Sequence, residues 1–65
     1  MIEVNGRKMD WRDNLTVEKL LSEMNYTYPM ILVKVNGQPV KAEEWSEFII
    51  PDNAVVQAHH LIAGG

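Results

Sequence analysis

Apolar and polar side chains alternate at the beginning of the chain with a period of two residues. The alternation covers Ile2 to Val4, and the pair Asn5-Gly6 interrupts it. An Asn-Gly pair suits the positive φ values of a type I′ turn, a common two-residue connection of β-hairpins. We therefore predict a hairpin whose return strand runs from Arg7 to Trp11.

The spacing of apolar residues then changes from two to three and four. Val17, Leu20, Leu21 and Met24 would form a single stripe along an α-helix, and the residues between them are charged or polar. Thr16 directly precedes the stripe, where its hydroxyl can accept a hydrogen bond from the first helical turn. The spacing predicts one amphipathic helix whose apolar side covers a hydrophobic core.

Strand patterns return in the second half of the chain. The run from Ile31 to Asn36 alternates clearly, and Asn36-Gly37 predicts a second tight turn. The short strand after this turn contains Pro39, which cannot donate to a ladder and therefore indicates an edge strand. A turn at Pro51-Asp52-Asn53 introduces a last strand, Ala54 to Ile62.

In chain order, these elements predict an α+β fold in which residues 1–65 form a single domain. A helical turn is expected around Glu43 to Trp45, between the second hairpin and the last strand. A hairpin followed by a helix and further strands favours one mixed sheet of four or five strands, with the main helix across one face. The last strand would be central if it lay beside the first strand and parallel to it.

Side chains on the outer face of this sheet form a possible partner-binding surface. We expect His59 and Leu61 to point away from the helix, because successive side chains of a strand point to opposite faces. Leu32 and Lys34 would lie beside them on the neighbouring strand. An apolar patch of this kind can mark a docking site, although scattered surface residues are an equally good interpretation.

The adjacent histidines, His59 and His60, do not favour a metal site. They would point to opposite faces of the strand, and no third ligand is near them in the sequence. The same alternation predicts that Val56 and Ala58 point to the core.

Composition excludes several classes of function. The chain has no cysteine, so a disulfide, a cysteine zinc site and a thiol nucleophile are all excluded. The net charge is −3 and the basic residues are scattered, which disfavours nucleic-acid binding. No segment has the length and hydrophobicity of a signal peptide or a membrane span, so we expect a cytoplasmic protein. The sequence shows no nucleophile–base pair, metal-ligand set or phosphate loop that would indicate an enzyme.

The last four residues, Ile62-Ala63-Gly64-Gly65, are the segment with the clearest chemical potential, and we name them the C-terminal tail. Glycine has no Cβ, so such a segment can lie extended in a narrow tunnel of a partner. Its carboxylate is a poor electrophile until adenylation converts it to a mixed anhydride. Chain ends with small residues are also commonly frayed and without function.

The sequence resembles the ThiS family and, more broadly, the ThiS/MoaD group of ubiquitin-like β-grasp proteins. The similar segments are TVEKLL (16–21), VNGQPVKAEEW (35–45), the turn at Pro51-Asp52 and the final IAGG (62–65). The family often has Gly-Asp at the turn before the last strand, and its last strand is usually more apolar. The resemblance implies a β-grasp fold with a flexible C-terminal tail.

The resemblance also implies a sulfur carrier in the biosynthesis of the thiazole of thiamine. Gly65 would be the residue that is adenylated and converted to a thiocarboxylate, and Gly64 would keep the tail slim. Ile62 and Ala63 would seat the tail in a partner. The chain would bind no cofactor, because the activating partner uses the ATP and Mg²⁺.

The implied partners are a ThiF-like adenylyltransferase, a sulfur donor of the cysteine desulfurase or rhodanese type, and a ThiG-like thiazole synthase. Three alternatives remain open at this point. The chain could carry sulfur for another pathway, such as molybdopterin, tungstopterin or cysteine synthesis. It could be a ubiquitin-like modifier joined to lysines, or a β-grasp interaction module with an inert tail.

Overall fold

The computed structural model describes residues 1–26 and 30–60, with His60 described by its backbone alone. The elements in chain order are β1 (Ile2–Val4), β2 (Arg7–Met9), α1 (Val17–Glu23), β3 (Ile31–Val35), β4 (Gln38–Val40), a 3₁₀ turn (Ala42–Glu44) and β5 (Val55–His60). The predicted order of hairpin, helix, hairpin, helical turn and strand is confirmed.

The strands form one five-stranded mixed sheet in the order β2-β1-β5-β3-β4. β5 is central and lies parallel to β1, as predicted, while every other pairing is antiparallel. Each hairpin therefore flanks β5 on one side. β4, which contains Pro39, is an edge strand, also as predicted.

The helix covers one face of the sheet with the stripe that the sequence predicts. Val17, Leu20 and Leu21 are buried, and Met24 packs partly buried against the same core. Strand alternation supplies the opposite side of the core, since Val56 and Ala58 of β5 are buried. The buried residues are Ile2, Val4, Leu15, Val17, Leu20, Leu21, Ile31, Val33, Val35, Val40, Ile50, Ala54, Val56 and Ala58.

The helix begins with its first backbone N–H groups fully hydrogen-bonded. The Thr16 hydroxyl accepts from the N–H of Lys19, which confirms the predicted N-cap. The preceding two N–H groups, of Val17 and Glu18, donate to carbonyls of the segment after the 3₁₀ turn, those of Phe48 and Trp45. This segment satisfies donors that the first turn of a helix cannot satisfy internally.

Asparagine occupies every left-handed non-glycine position of the described residues. Asn5, Asn14, Asn25, Asn36 and Asn53, all five asparagines of the chain, have φ between 50° and 65°. Among non-glycine residues, asparagine is one of the least disfavoured in this region. The two predicted Asn-Gly turns and the predicted turn at Pro51-Asp52-Asn53 are confirmed, and the same conformation occurs at Asn14 before the helix and at Asn25 after it.

The predicted return strand of the first hairpin is too long. β2 ends at Met9 instead of Trp11, because Trp11 serves as a partly buried side chain against the core and its indole N–H donates to the carbonyl of Ile50 at 2.7 Å. Trp45 makes the equivalent bond to the carbonyl of Val40 at 3.1 Å. Alternation of apolar side chains could not distinguish a strand that continues to Trp11 from a shorter strand followed by a tryptophan that packs against the core.

Candidate functional site

The site builds on β5, the strand that leads into the C-terminal tail. β5 pairs with β3 along the whole length of β3, from Ile31 opposite His60 to Val35 opposite Val56. On its other side it pairs with β1 only at Glu3 and Val4, because β1 is short. The parallel ladder therefore ends well before β5 does.

Asn5 continues that ladder with its backbone and then with its side chain. Its backbone N–H donates to the carbonyl of Val56 at 2.9 Å, as a further residue of β1 would. Its side-chain Nδ2 then donates to the carbonyl of Ala58, and its Oδ1 accepts from the N–H of Ala58, both at 2.9 Å. One amide thus replaces a backbone unit and holds the C-terminal half of β5 in the sheet.

Asn36, the first residue of the second hairpin turn, holds the beginning of β5 in a similar way. Its backbone N–H donates to the carbonyl of Val55 at 2.7 Å, and its Oδ1 accepts from the N–H of Val55 at 2.9 Å. Asn5 and Asn36 were predicted only as turn residues. The missed signal is that an amide side chain carries both a donor and an acceptor, as a peptide unit does.

The outer face of the sheet brings together three of the four residues predicted for a partner surface. Leu32 lies directly opposite His59, and Lys34 lies opposite Gln57 on the same face. Leu32 and His59 are exposed, and Lys34 is half-buried. Val55 was not among the predicted residues, and its 46% exposed side chain extends the apolar part of this face.

The remaining predicted residues lie outside the residues that the structure describes. They are Leu61 of the outer face and the whole C-terminal tail, Ile62, Ala63, Gly64 and Gly65. Their predicted roles remain predictions.

The two ion pairs of the described residues do not include Leu32, Lys34 or His59. The Met1 ammonium contacts the Asp52 carboxylate at 2.9 Å, and this hydrogen bond lowers the pKa of Asp52. Arg12 and Glu23 form a second exposed pair, in which the hydrogen bond from Arg12 lowers the pKa of Glu23. Both pairs are solvated, so we assign them no part in the chemistry of the site.

No three histidine, aspartate or glutamate side chains converge as a metal site would require within residues 1–26 and 30–60. The core of the same residues buries no polar or charged side chain. In the described part of the chain, no helix has the length and hydrophobicity needed to cross a membrane.

Comparisons with known proteins agree with this geometry. The model of the ThiS family matches residues 1–65. Among solved structures, the chain is similar to a thiamine biosynthesis protein (ThiS) from Geobacter metallireducens. The two share 25% identity over 98% of this chain and 97% of that one, with a TM-score of 0.79. A search of curated proteins gave no match.

Proposed function

The chain belongs to the ThiS family, and from this membership we propose that it is a sulfur carrier of thiamine biosynthesis and not itself an enzyme. The observation that carries the proposal is the family match across residues 1–65, which includes the glycine pair at 64–65. The similar ThiS structure supports it, since the two share one fold over nearly their whole lengths.

The proposed chemistry takes place at the carboxylate of Gly65. A carboxylate oxygen attacks the α-phosphorus of ATP on a ThiF-like partner, and pyrophosphate leaves with Mg²⁺ neutralising its charge. A persulfide or sulfide from a cysteine desulfurase or rhodanese-type donor then displaces AMP from the acyl carbon. Attack by sulfide gives the thiocarboxylate directly. Attack by a persulfide gives an acyl disulfide, which a thiol cleaves to leave the thiocarboxylate on the carrier and a disulfide between the donor and the thiol. A ThiG-like thiazole synthase accepts the sulfur.

The chain contributes presentation and recognition to this chemistry. Gly64 would keep the tail narrow beside Gly65, and Ile62 and Ala63 would seat it in the partner's active site. The two-sided hold on β5 supports this role, because a firmly paired strand limits the positions from which the tail can start.

We also propose that the outer face of the sheet docks the activating enzyme. Leu32 and His59 face each other across β3 and β5, with Lys34 on the same face and Leu61 expected beside them. An apolar centre with basic or polar neighbours suits a transient interface. This face lies on the strand that leads into the tail, so docking there would also orient the tail.

Mass spectrometry of the purified chain tests the carrier chemistry. After incubation with a ThiF-like enzyme, ATP, Mg²⁺ and a sulfur donor, we expect one oxygen to be replaced by sulfur at Gly65. A variant with one alanine added after Gly65 is the matched control, since it retains the fold and moves the carboxylate. Equal sulfur incorporation in both proteins, or incorporation elsewhere, would contradict the proposal.

A pair of charge substitutions tests the docking face. Leu32→Glu should raise the KM of the activating enzyme for this carrier at least about tenfold, because it places a charge in the apolar centre. Ile49→Glu introduces the same change at another exposed apolar residue, away from that face, and should have little effect. Equal effects of the two variants would reject the assigned surface.

A further inference from the structure

The two edges of the sheet differ in the backbone groups that they present to solvent. Val35 of β3 and Gln38 of β4 close the two-residue turn as a hydrogen-bonded pair, and bonded and non-bonded pairs alternate along an antiparallel ladder. The next pair, Lys34 and Pro39, is therefore the non-bonded one, and the nitrogen of Pro39 points outward. Proline has no N–H, so this edge lacks its outward donor.

β2 forms the other edge and has no such block. Val4 and Arg7 close its turn, so the next pair, Glu3 and Lys8, is the non-bonded one. The N–H and C=O of Lys8 therefore point away from β1, toward solvent. A donor and an acceptor in this arrangement are the groups that an added strand pairs with.

A cleft of about 450 Å³ runs beside this open edge. β2 contributes Arg7, Lys8 and Met9, and the end of the helix contributes Met24 and Tyr26. Met9, Met24 and Tyr26 are partly buried and pack against the core, so they give the cleft an apolar floor. Such a floor can take the alternate side chains of an extended peptide.

The charges at the cleft are positive where they are not already paired. Arg7 and Lys8 are exposed, and the ion pairs within the described ranges are Met1–Asp52 and Arg12–Glu23. Glu23 also lines the cleft, but its carboxylate is held by Arg12. Glu3 of β1 lies opposite Lys8 on the outer face, but an added strand would lie next to β2, whose charged side chains are Arg7 and Lys8, so the edge favours an acidic partner.

We propose that the β2 edge and its cleft bind an extended, acidic segment of a partner protein as a sixth strand of the sheet. The backbone of the segment would pair with the outward N–H and C=O of Lys8. Its outer-face side chains would be acidic beside Lys8, and its helix-side chains would be apolar over Met9 and Met24. The residues of this site belong neither to the C-terminal tail nor to the Leu32–His59 face.

A second copy of this chain does not fit the same edge. Two β2 strands paired antiparallel about Lys8 would place Lys8 opposite Lys8, and like charges directly opposite are destabilising. Lysine at an edge is also a common guard against self-association. The cation that repels a second copy attracts an acidic strand.

Titration of the ¹⁵N-labelled protein with a capped peptide of alternating aspartate and valine tests the proposal. We expect saturable shifts of the amide signals of Arg7, Lys8, Met9 and Met24, together with slower hydrogen exchange at the Lys8 N–H. A peptide of alternating lysine and valine is the matched control and should bind at least about tenfold more weakly.

Two substitutions separate the backbone and charge contributions. Lys8→Pro removes the outward donor without removing a bond to β1, and it should abolish binding of the aspartate–valine peptide. Lys8→Glu retains the donor, reverses the charge and should weaken binding at least about tenfold. Lys19→Glu makes the same charge reversal at an exposed helix residue and should leave binding within about twofold.

Several results would overturn the proposal. They are no saturable binding at millimolar peptide, equal affinity for the two peptides, and shifts confined to the Leu32–His59 face. Undiminished binding by a folded Lys8→Pro variant would also overturn it. Dimerisation through β2, detected by analytical ultracentrifugation, would assign the edge to a second copy. None of these measurements depends on sulfur transfer, so a result that overturns the sixth-strand proposal leaves the carrier proposal unaffected.

Discussion

The first and second hairpins of this protein share the same turn sequence but pair differently with the central strand. Each turns at an Asn-Gly pair, and in each the asparagine binds the backbone of β5. β3 of the second hairpin pairs with β5 along its whole length, whereas β1 of the first pairs at Glu3 and Val4. We therefore expect the shorter ladder to depend more on its asparagine.

The outer strands of the hairpins differ as well. β4 presents Pro39 at its edge, and β2 presents Lys8. A proline removes a backbone donor that any added strand would use, whereas a lysine repels only strands that carry positive charge. Two edges of one sheet, equal in length, can therefore differ in their capacity to bind an added strand.

Loss of the Asn5 side chain should have the largest effect on stability. Asn5→Ala leaves the N–H and C=O of Ala58 unpaired in a part-buried position and places alanine at φ 50°. We expect a loss of about 2–4 kcal/mol in the free energy of unfolding, measured by denaturant titration. Asn5→Gly tolerates the φ value, so it isolates the hydrogen-bond part.

Asn36→Ala is the matched substitution in the second hairpin. It also places alanine at a left-handed position, but its side-chain bond to Val55 is exposed and water can replace it. We expect a smaller loss of about 1–2 kcal/mol. Equal losses at Asn5 and Asn36 would contradict the view that the parallel ladder needs its asparagine more.

Pro39→Val should change association more than stability. Valine restores an outward N–H at the β4 edge and favours strand geometry, so the free energy of unfolding should change by less than about 1 kcal/mol. Sedimentation at high protein concentration should show more self-association than in the parent protein. Lys8→Val, which removes a guarding charge at the other edge, provides the comparison.

The smallest effect should come from the ion pair between Met1, which precedes β1, and Asp52 in the turn before β5. The hydrogen bond from the Met1 ammonium lowers the pKa of Asp52 below its ordinary value of 3.8, so the folded state favours the ionised carboxylate. This contribution is present above the unfolded pKa and is lost as the pH falls through the folded one. Asp52→Asn should lower the Tm slightly at pH 7.

Acidic solution provides the control for Asp52. The difference in Tm between the parent protein and Asp52→Asn should shrink as the pH falls below about 4 and vanish once the carboxylate is protonated in both states. A difference that persists at the lowest pH would assign the effect to packing or to the turn at Asn53 instead of the charge.

Much of the fold was predictable because its signals are local. Both turns, the N-cap at Thr16, the helical stripe and the edge position of Pro39 follow from residue chemistry and spacing over a few residues. The return strand was overextended to Trp11, because its indole bonds to the distant carbonyl of Ile50. No local pattern reports a partner that lies far away in the chain.

The candidate site was predictable in part for the same reason. Alternation along two strands was enough to put Leu32, Lys34 and His59 on one face, and the structure pairs Leu32 with His59. The same alternation also places Val55 on that face, although Val55 was not among the predicted residues, but it could not identify His59 as the residue opposite Leu32 or Asn5 as the partner of Ala58. These placements depend on which strands are adjacent and in which register.

Residue order alone therefore determined the elements, their apolar faces and the chemical character of the chain, since each depends on interactions between near neighbours. The assembled sheet decided which edge is open, which amides hold β5 and where the apolar cleft lies beside β2. Those features arise from contacts between segments up to 53 residues apart. Such contacts exist only once burial of the shared core has brought the two hairpins to either side of one central strand.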